Sequence, residues 1–277
     1  MSRKPARAWQ RAGILLFWLL LWQGIAWKLG QPIFLVGPWE AAQALVRLGA
    51  SPGFWQAAFS SLGRVGAGFL LAFLGGIACG GAGYAFPWFA LFLAPVVSLM
   101  KTVPVASFVI LALIWAGAKN LAVIISFLVV FPIIYLNTTA GLRSADRQLL
   151  EMAQVFRVRT LPKIWQIYRP ALAPYLLNAC RVALGMAWKS GIAAEVIGTP
   201  ARSIGEQLYM AKVFFSTDEL FAWTAAVVAL SFLFERAVLV CLKKAMGTET
   251  DGTETDGGRD GDGMRRRRLK RRRRQGK

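Results

Sequence analysis

Apolar stretches of about 20 residues recur along this chain, and few folds accommodate them. A helix of that length crosses a hydrocarbon core of about 30 Å. The runs are continuous rather than alternating, which argues against a transmembrane β-barrel. Hydrophobic residues make up 56% of the 277 and charged residues only 17%. A soluble chain of this length carries more polar punctuation. The fold class is therefore all-α: a polytopic helical membrane protein with about six transmembrane helices.

The spans are placed at 12–27, 65–84, within 88–116, 121–140, 171–197 and 220–242. The first follows Arg3, Lys4, Arg7 and Arg11 as a signal peptide would. No clean small-x-small cleavage site follows it, so an uncleaved anchor is expected. Residues 38–48 read as a short amphipathic helix outside the bilayer. The second span is glycine-rich, and GIACG at 76–80 has the small-xxx-small spacing that lets helix backbones approach closely. Residues 88–116 are too long for one straight span and contain Lys101 and Pro104. They read as an interfacial piece followed by a span, or as one helix broken near Pro104. Pro132 lies inside the fourth span. Between spans five and six, Ser203 with Glu206 fits a capping box, and Ser216-Thr217-Asp218-Glu219 offers a second.

Charge settles the expected orientation. With a cytoplasmic start, the inside segments 1–11, the turn near Phe86, 143–170 and 243–277 hold 23 Lys plus Arg, against 5 outside. Without residues 247–277 the ratio is still 12 to 5. The positive-inside rule places both termini and the 143–170 loop in the cytoplasm. Residues 1–246 form the transmembrane domain, and 247–277 a basic tail expected to be disordered, with TETDG occurring twice in it. The cations cluster in loops and at the ends rather than over folded faces, so no nucleic-acid partner is expected. Cys79, Cys180 and Cys241 lie within apolar runs and read as small buried hydrophobes. Histidine is absent, which removes the commonest general base and metal ligand. Intramembrane carboxylates are scarce, and no enzyme activity is expected.

One segment breaks the apolar pattern: LLEMAQVFRVRTLPKIWQIYRPALAP at 149–174. Leu149, Met152, Ala153 and Phe156 share one helical face, and after a polar turn Leu161, Ile164, Trp165 and Tyr168 share another. Thr160 can cap the second helix, with Pro162 tolerated in its first turn. Two short amphipathic helices, too charged to span, lie on the membrane surface or dock a cytoplasmic partner.

The loop resembles the signature of inner-membrane permease subunits of bacterial ABC importers. The family pattern is Glu-Ala-Ala, three residues, Gly, nine residues, then Ile-x-Leu-Pro. Here Glu151, Ala153, Ile167 and Pro170 match at that spacing, while Met152, Arg157 and Arg169 depart, Arg157 at the glycine. SLGRVGAGFLLAFLGGIACG at 61–80, KTVPVASFVILALIWAG at 101–117 and RVALGMAWKSGIAAEVIG at 181–198 resemble spans of the nitrate, sulfonate, taurine and bicarbonate branch. The resemblance implies a permease in the bacterial plasma membrane whose loop 143–170 is a coupling helix held by a separate cytoplasmic ABC ATPase. Its contacts would be Glu151, Ala153, Phe156, Arg157, Ile164, Ile167 and Pro170. It further implies a second permease subunit, a homodimer by expectation, and an extracytoplasmic binding protein. Small anions are the implied cargo, with a thiamine-pyrimidine-like vitamin precursor as the alternative.

GMAWKS at 185–190 lacks the glycine before lysine that a phosphate-binding loop needs, and no other stretch fits. ATP, the one cofactor implied, would be bound by the partner ATPase and none by this chain. A self-contained secondary transporter is the competing class, but no internal repeat is visible. Ionisable groups in spans usually face protein or water. Lys189 and Glu195 in the fifth span, with Lys101 and Pro104 in the third, are therefore the candidate pathway residues, Lys189 as an attractor of anions.

Overall fold

The structure is a computed structural model that describes residues 8–31 and 33–246. The expected tail, 247–277, lies outside the described residues, as do residues 1–7 of the first basic segment. Ten α-helices follow in order: α1 (Ala8–Leu29), α2 (Pro38–Gly49), α3 (Pro52–Ala85), α4 (Pro87–Thr102), α5 (Val105–Arg143), α6 (Arg147–Val155), α7 (Thr160–Lys163), α8 (Arg169–Gly198), α9 (Ile204–Val213) and α10 (Thr217–Met246). A π turn, Ile164–Tyr168, joins α7 to α8. No strand occurs among the described residues.

Proline marks where helices begin. Pro38, Pro52 and Pro87 each occupy the first turn, where the missing N–H is not needed. Ser51 caps α3 by accepting a bond from the Phe54 N–H at 3.3 Å. The break expected near Pro104 is present. Val103 is extended (φ −71°, ψ 131°) because a following proline disfavours the helical region, so α4 stops and α5 restarts. The loop expected at 116–120 is tighter than that. A single residue, Gly117 (φ 72°, ψ 170°), reverses direction inside an otherwise helical run, a conformation that favours glycine. Val109 and Ala112 then pack back against Leu121, Ile125 and Ala194.

Among the described residues, α3, α5 and α10 are long and apolar enough to cross a membrane. Gly13–Leu29 and Pro87–Thr102 are apolar but shorter. The 30-residue α8 carries Arg181, Lys189 and Glu195. The sequence spans correspond to α1, α3, α4 with the first part of α5, the remainder of α5, α8 and α10.

The core is the contact of α3 and α8 with α5. It contains Val65, Phe69, Val130, Ile134, Leu184 and Trp188. The small-xxx-small pair faces α5: a Cβ added to Gly76 would lie 2.8 Å from Ile134 Cβ, and one on Gly80 2.7 Å from Thr138 Cβ. Cys180 is buried in this core as expected, but Cys79 is only half-buried at its edge and Cys241 is exposed.

The segments sort to two ends. At one, the Tyr84 and Tyr168 hydroxyls are 3.3 Å apart and Arg169 donates to the Ala245 carbonyl at 2.7 Å. That end gathers the turn at Phe86, the 143–170 loop and the end of α10. At the other, Arg47 meets Asp218 at 2.9 Å and the Thr217 hydroxyl donates to the Ile33 carbonyl at 2.7 Å. Segments 28–54, 116–120 and 198–218 lie there, the same grouping of these three segments that the charge count used.

The glycine contact generates a test. Gly76→Val must push α3 from α5 and should cost about 1–3 kcal/mol. Gly81→Ala, with nothing within 4 Å of the added Cβ, should be neutral or slightly stabilising. Thermal unfolding of the detergent-purified variants distinguishes the two.

Candidate functional site

The loop between α5 and α8 is built from local rules. The Asp146 carboxylate accepts from the Gln148 N–H at 2.8 Å and starts α6. Arg147 and Glu151 pair at 3.1 Å one turn apart, an exposed contact of small energetic weight. At the other end, the Val158 N–H bonds to the Ala153 carbonyl at 2.9 Å and the Arg157 N–H to that of Gln154 at 3.1 Å. These two bonds define a Schellman stop, whose closing residue must be left-handed. Arg157 takes that conformation with φ 50°. It stands where the family pattern has glycine, so the geometry glycine would supply is kept with a side chain in place.

Of the expected apolar face on α6, only Ala153 is covered, at 3% exposure. Leu149 and Met152 are exposed, and Phe156 stands 75% open beside Val155. Across the turn Leu161 (79%), Ile164 and Trp165 are also exposed. The chain thus presents a contiguous run of large apolar side chains on a segment too charged to enter lipid.

The second loop helix differs from expectation. It is not a separate short element, because α7 passes through the π turn into α8 without a break. Thr160 is its first residue rather than its cap; Arg159 holds the cap position, without a side-chain cap bond. The π turn inserts extra backbone and rotates the later side chains relative to Leu161. Arg169 lies 4.2 Å above the Trp165 ring, Ile167 is half-buried and Pro170 exposed.

The charges within the spans separate into two kinds. Glu195 is not open to any surface. It is fully buried, with its carboxylate 3.3 Å from the Arg64 guanidinium, 2.5 Å from the donating Ser61 hydroxyl and 3.4 Å from the Gly205 N–H. Ser61 also accepts from the Ile204 N–H at 2.9 Å, and Arg64 donates to the Ala201 carbonyl at 3.2 Å. The N-terminus of α9, where backbone donors are unpaired and the dipole is positive, therefore closes on this carboxylate. Ser203 caps α9 through the Glu206 N–H at 2.9 Å, while Glu206 reaches back to the Arg202 N–H instead of that of Ser203. The sequence reading missed Ser61 and Arg64; the only signal was a serine and an arginine at the edge of an apolar run.

Lys189, by contrast, is exposed. With Asn178, Val182, Met186, Ala193 and Ile197 it forms an open stripe along α8. It lines a groove of about 440 Å³ between α8, α9 and α10. Lys101 and Pro104 are both exposed at the α4–α5 break, apart from that groove.

Residues 72–244 match the family described as binding-protein-dependent transport system inner membrane component. The chain belongs to this family. It is a permease subunit of an ABC importer, a membrane transport component rather than an enzyme. It is 28% identical over 230 residues to the taurine transport system permease protein TauC of Escherichia coli, covering 80% of this chain and 83% of that one. To the nitrate import permease protein NrtB of Synechococcus elongatus it is 28% identical over 240 residues, 76% and 86% of the two chains. Other relatives are named for aliphatic sulfonates and bicarbonate. A crystal structure of a bacterial ABC transporter involved in import of the acidic polysaccharide alginate shares the fold, with TM-score 0.56, 15% identity and coverage of 88% and 97%.

Arg157→Gly should stabilise the turn by up to about 1 kcal/mol, because it relieves a left-handed non-glycine residue, while the β-branched Arg157→Val should destabilise it. Glu195→Ala should cost about 3–5 kcal/mol by leaving Arg64 without its partner. Adding Arg64→Met should recover part of that loss, readable as a melting temperature above that of Glu195→Ala alone.

Proposed function

We propose that this permease pairs with a second copy to form the translocation pathway of an importer for sulfonates, taurine among them, or for small anions such as nitrate or bicarbonate. The names of its relatives support that substrate class. A separate cytoplasmic ATPase grips the 143–170 loop, and an extracytoplasmic binding protein delivers the cargo. The chain sits in the bacterial plasma membrane with both termini inside, the orientation that the charge count favours.

The observation that carries the coupling role is the unbroken helical path from Thr160 to Gly198. It spans 39 residues, about 58 Å at 1.5 Å per residue. A load applied to the loop passes into α8 without a flexible joint. The open apolar side chains, Phe156 and Ile164 above all, give the ATPase a surface to bury. Glu151, Ala153, Arg157, Ile167 and Pro170 frame it. Arg169, bound to the Ala245 carbonyl, ties the same point to α10, so a rigid-body movement of the loop tilts two spans together.

Lys189 faces the pathway in this reading, because an unpaired cation within a span requires water or protein rather than lipid. Lys101 and Pro104 contribute at the α4–α5 break. Glu195 acts from behind, holding α3, α8 and α9 in place.

Phe156→Asp should abolish co-purification of the ATPase while leaving membrane insertion intact. Glu151→Lys should uncouple ATP hydrolysis from transport in proteoliposomes. Normal substrate-stimulated ATPase activity in Glu151→Lys would remove the docking role assigned to that residue, and transport without any ATPase would remove the importer mechanism.

A further inference from the structure

Lys189 lies nine residues before the end of α8, about 14 Å along the axis. A lysine side chain is too short to carry its ammonium from there to the end of α8. The ion pairs among the described residues are Arg47–Asp218, Arg64–Glu195 and Arg147–Glu151, and none involves Lys189. Its groove is lined by apolar groups, chiefly Ile192, Val196, Val227 and Phe232, with the hydroxyls of Thr224 and Ser231. Trp188 also lines it, and its buried indole N–H has no partner among the described residues. No aspartate or glutamate lines the groove. The nearby carboxylate of α8, Glu195, is fully buried and already engaged by Arg64 and Ser61.

This chemistry is one-sided. It offers the Lys189 ammonium and the Ser231 hydroxyl to an anionic head and apolar wall to the rest of the ligand, the Thr224 hydroxyl being already donated to the Leu220 carbonyl at 2.8 Å. It offers no counter-charge to an ammonium, which would have to shed its water beside Lys189 with no carboxylate to replace it.

We propose that Lys189 is a specificity-determining residue: the groove between α8, α9 and α10 favours net monoanions with an apolar body over zwitterions such as taurine. The permease then carries a charge filter of its own, in series with whatever the binding protein selects. This inference rests on the reading that Lys189 faces the pathway.

The discriminating probes are 1-propanesulfonate and taurine, which differ by a methyl in place of an ammonium. Binding is measured by calorimetry on the full-length permease in phosphatidylcholine nanodiscs, without ATPase or binding protein. Propanesulfonate should bind roughly 10- to 100-fold more tightly than taurine. Lys189→Met should remove the preference, and Lys189→Arg should retain it. Thr224→Glu, which places a carboxylate in the groove, should raise taurine affinity relative to propanesulfonate. Equal binding of the two probes to the wild-type protein would overturn the proposal. So would a preference unchanged in both Lys189→Met and Thr224→Glu. Loss of propanesulfonate binding when phosphatidylglycerol replaces phosphatidylcholine would also overturn it, by showing a lipid-headgroup site. Because no ATPase is present, any of these outcomes leaves the coupling reading to stand or fall on its own test.

Discussion

Helices in a bilayer gain nothing from hiding apolar surface, since lipid is as apolar as leucine. Association depends on close packing, and here that means the approach of α3 to α5. Gly76 and Gly80 let the backbone of α3 come within contact of Ile134 and Thr138. With α5 seated, α8 packs along it through Ala179, Ala183 and Ala187, all buried. Neighbouring α1 and α10 are far more exposed along their lengths. The molecule is therefore a rigid three-helix centre with looser apolar flanks. Both candidate functional features are attached to that centre.

The two ends of the centre are closed by different chemistry. At the loop end, the ties are exposed or half-buried polar contacts: Tyr84 with Tyr168 and Arg169 with the Ala245 carbonyl. At the opposite end, α3, α8 and α9 meet on one buried carboxylate. Removing a partner from a buried pair costs far more than breaking a surface contact. A structure with this distribution is held most firmly at the end away from the loop, where α3, α8 and α9 meet.

Much of this was legible in the sequence because it follows from short-range rules. The length and apolarity of the runs announced the spans, Pro104 announced a break, Ser203 a cap, and the spacing of Leu149, Met152, Ala153 and Phe156 an amphipathic α6. What escaped was set by distance or by subtle backbone geometry. The continuity of α7 with α8 depends on a π turn that the sequence does not mark, so from sequence the second loop helix reads as a separate element. Gly117 does the work expected of a five-residue loop because positive φ turns the chain within one residue. The Glu195 cluster was invisible because Arg64 lies 131 residues away in the chain. Span periodicity could show that Glu195 and Trp188 share a face, but not what met them there.

The contrast between Glu195 and Lys189 follows from the same physics. Both sit in one helix, six positions apart, and each needs compensation that lipid cannot give. Glu195 has an arginine, a hydroxyl and the N-terminus of a helix, so its charge is satisfied within the chain and is a fixed part of the fold. Lys189 has hydroxyls and apolar wall but no counter-charge, so its compensation must come from outside the chain. A charge neutralised internally makes a joint, whereas one left open is available to a ligand. Lys189 is the residue of α8 whose electrostatics the fold leaves incomplete.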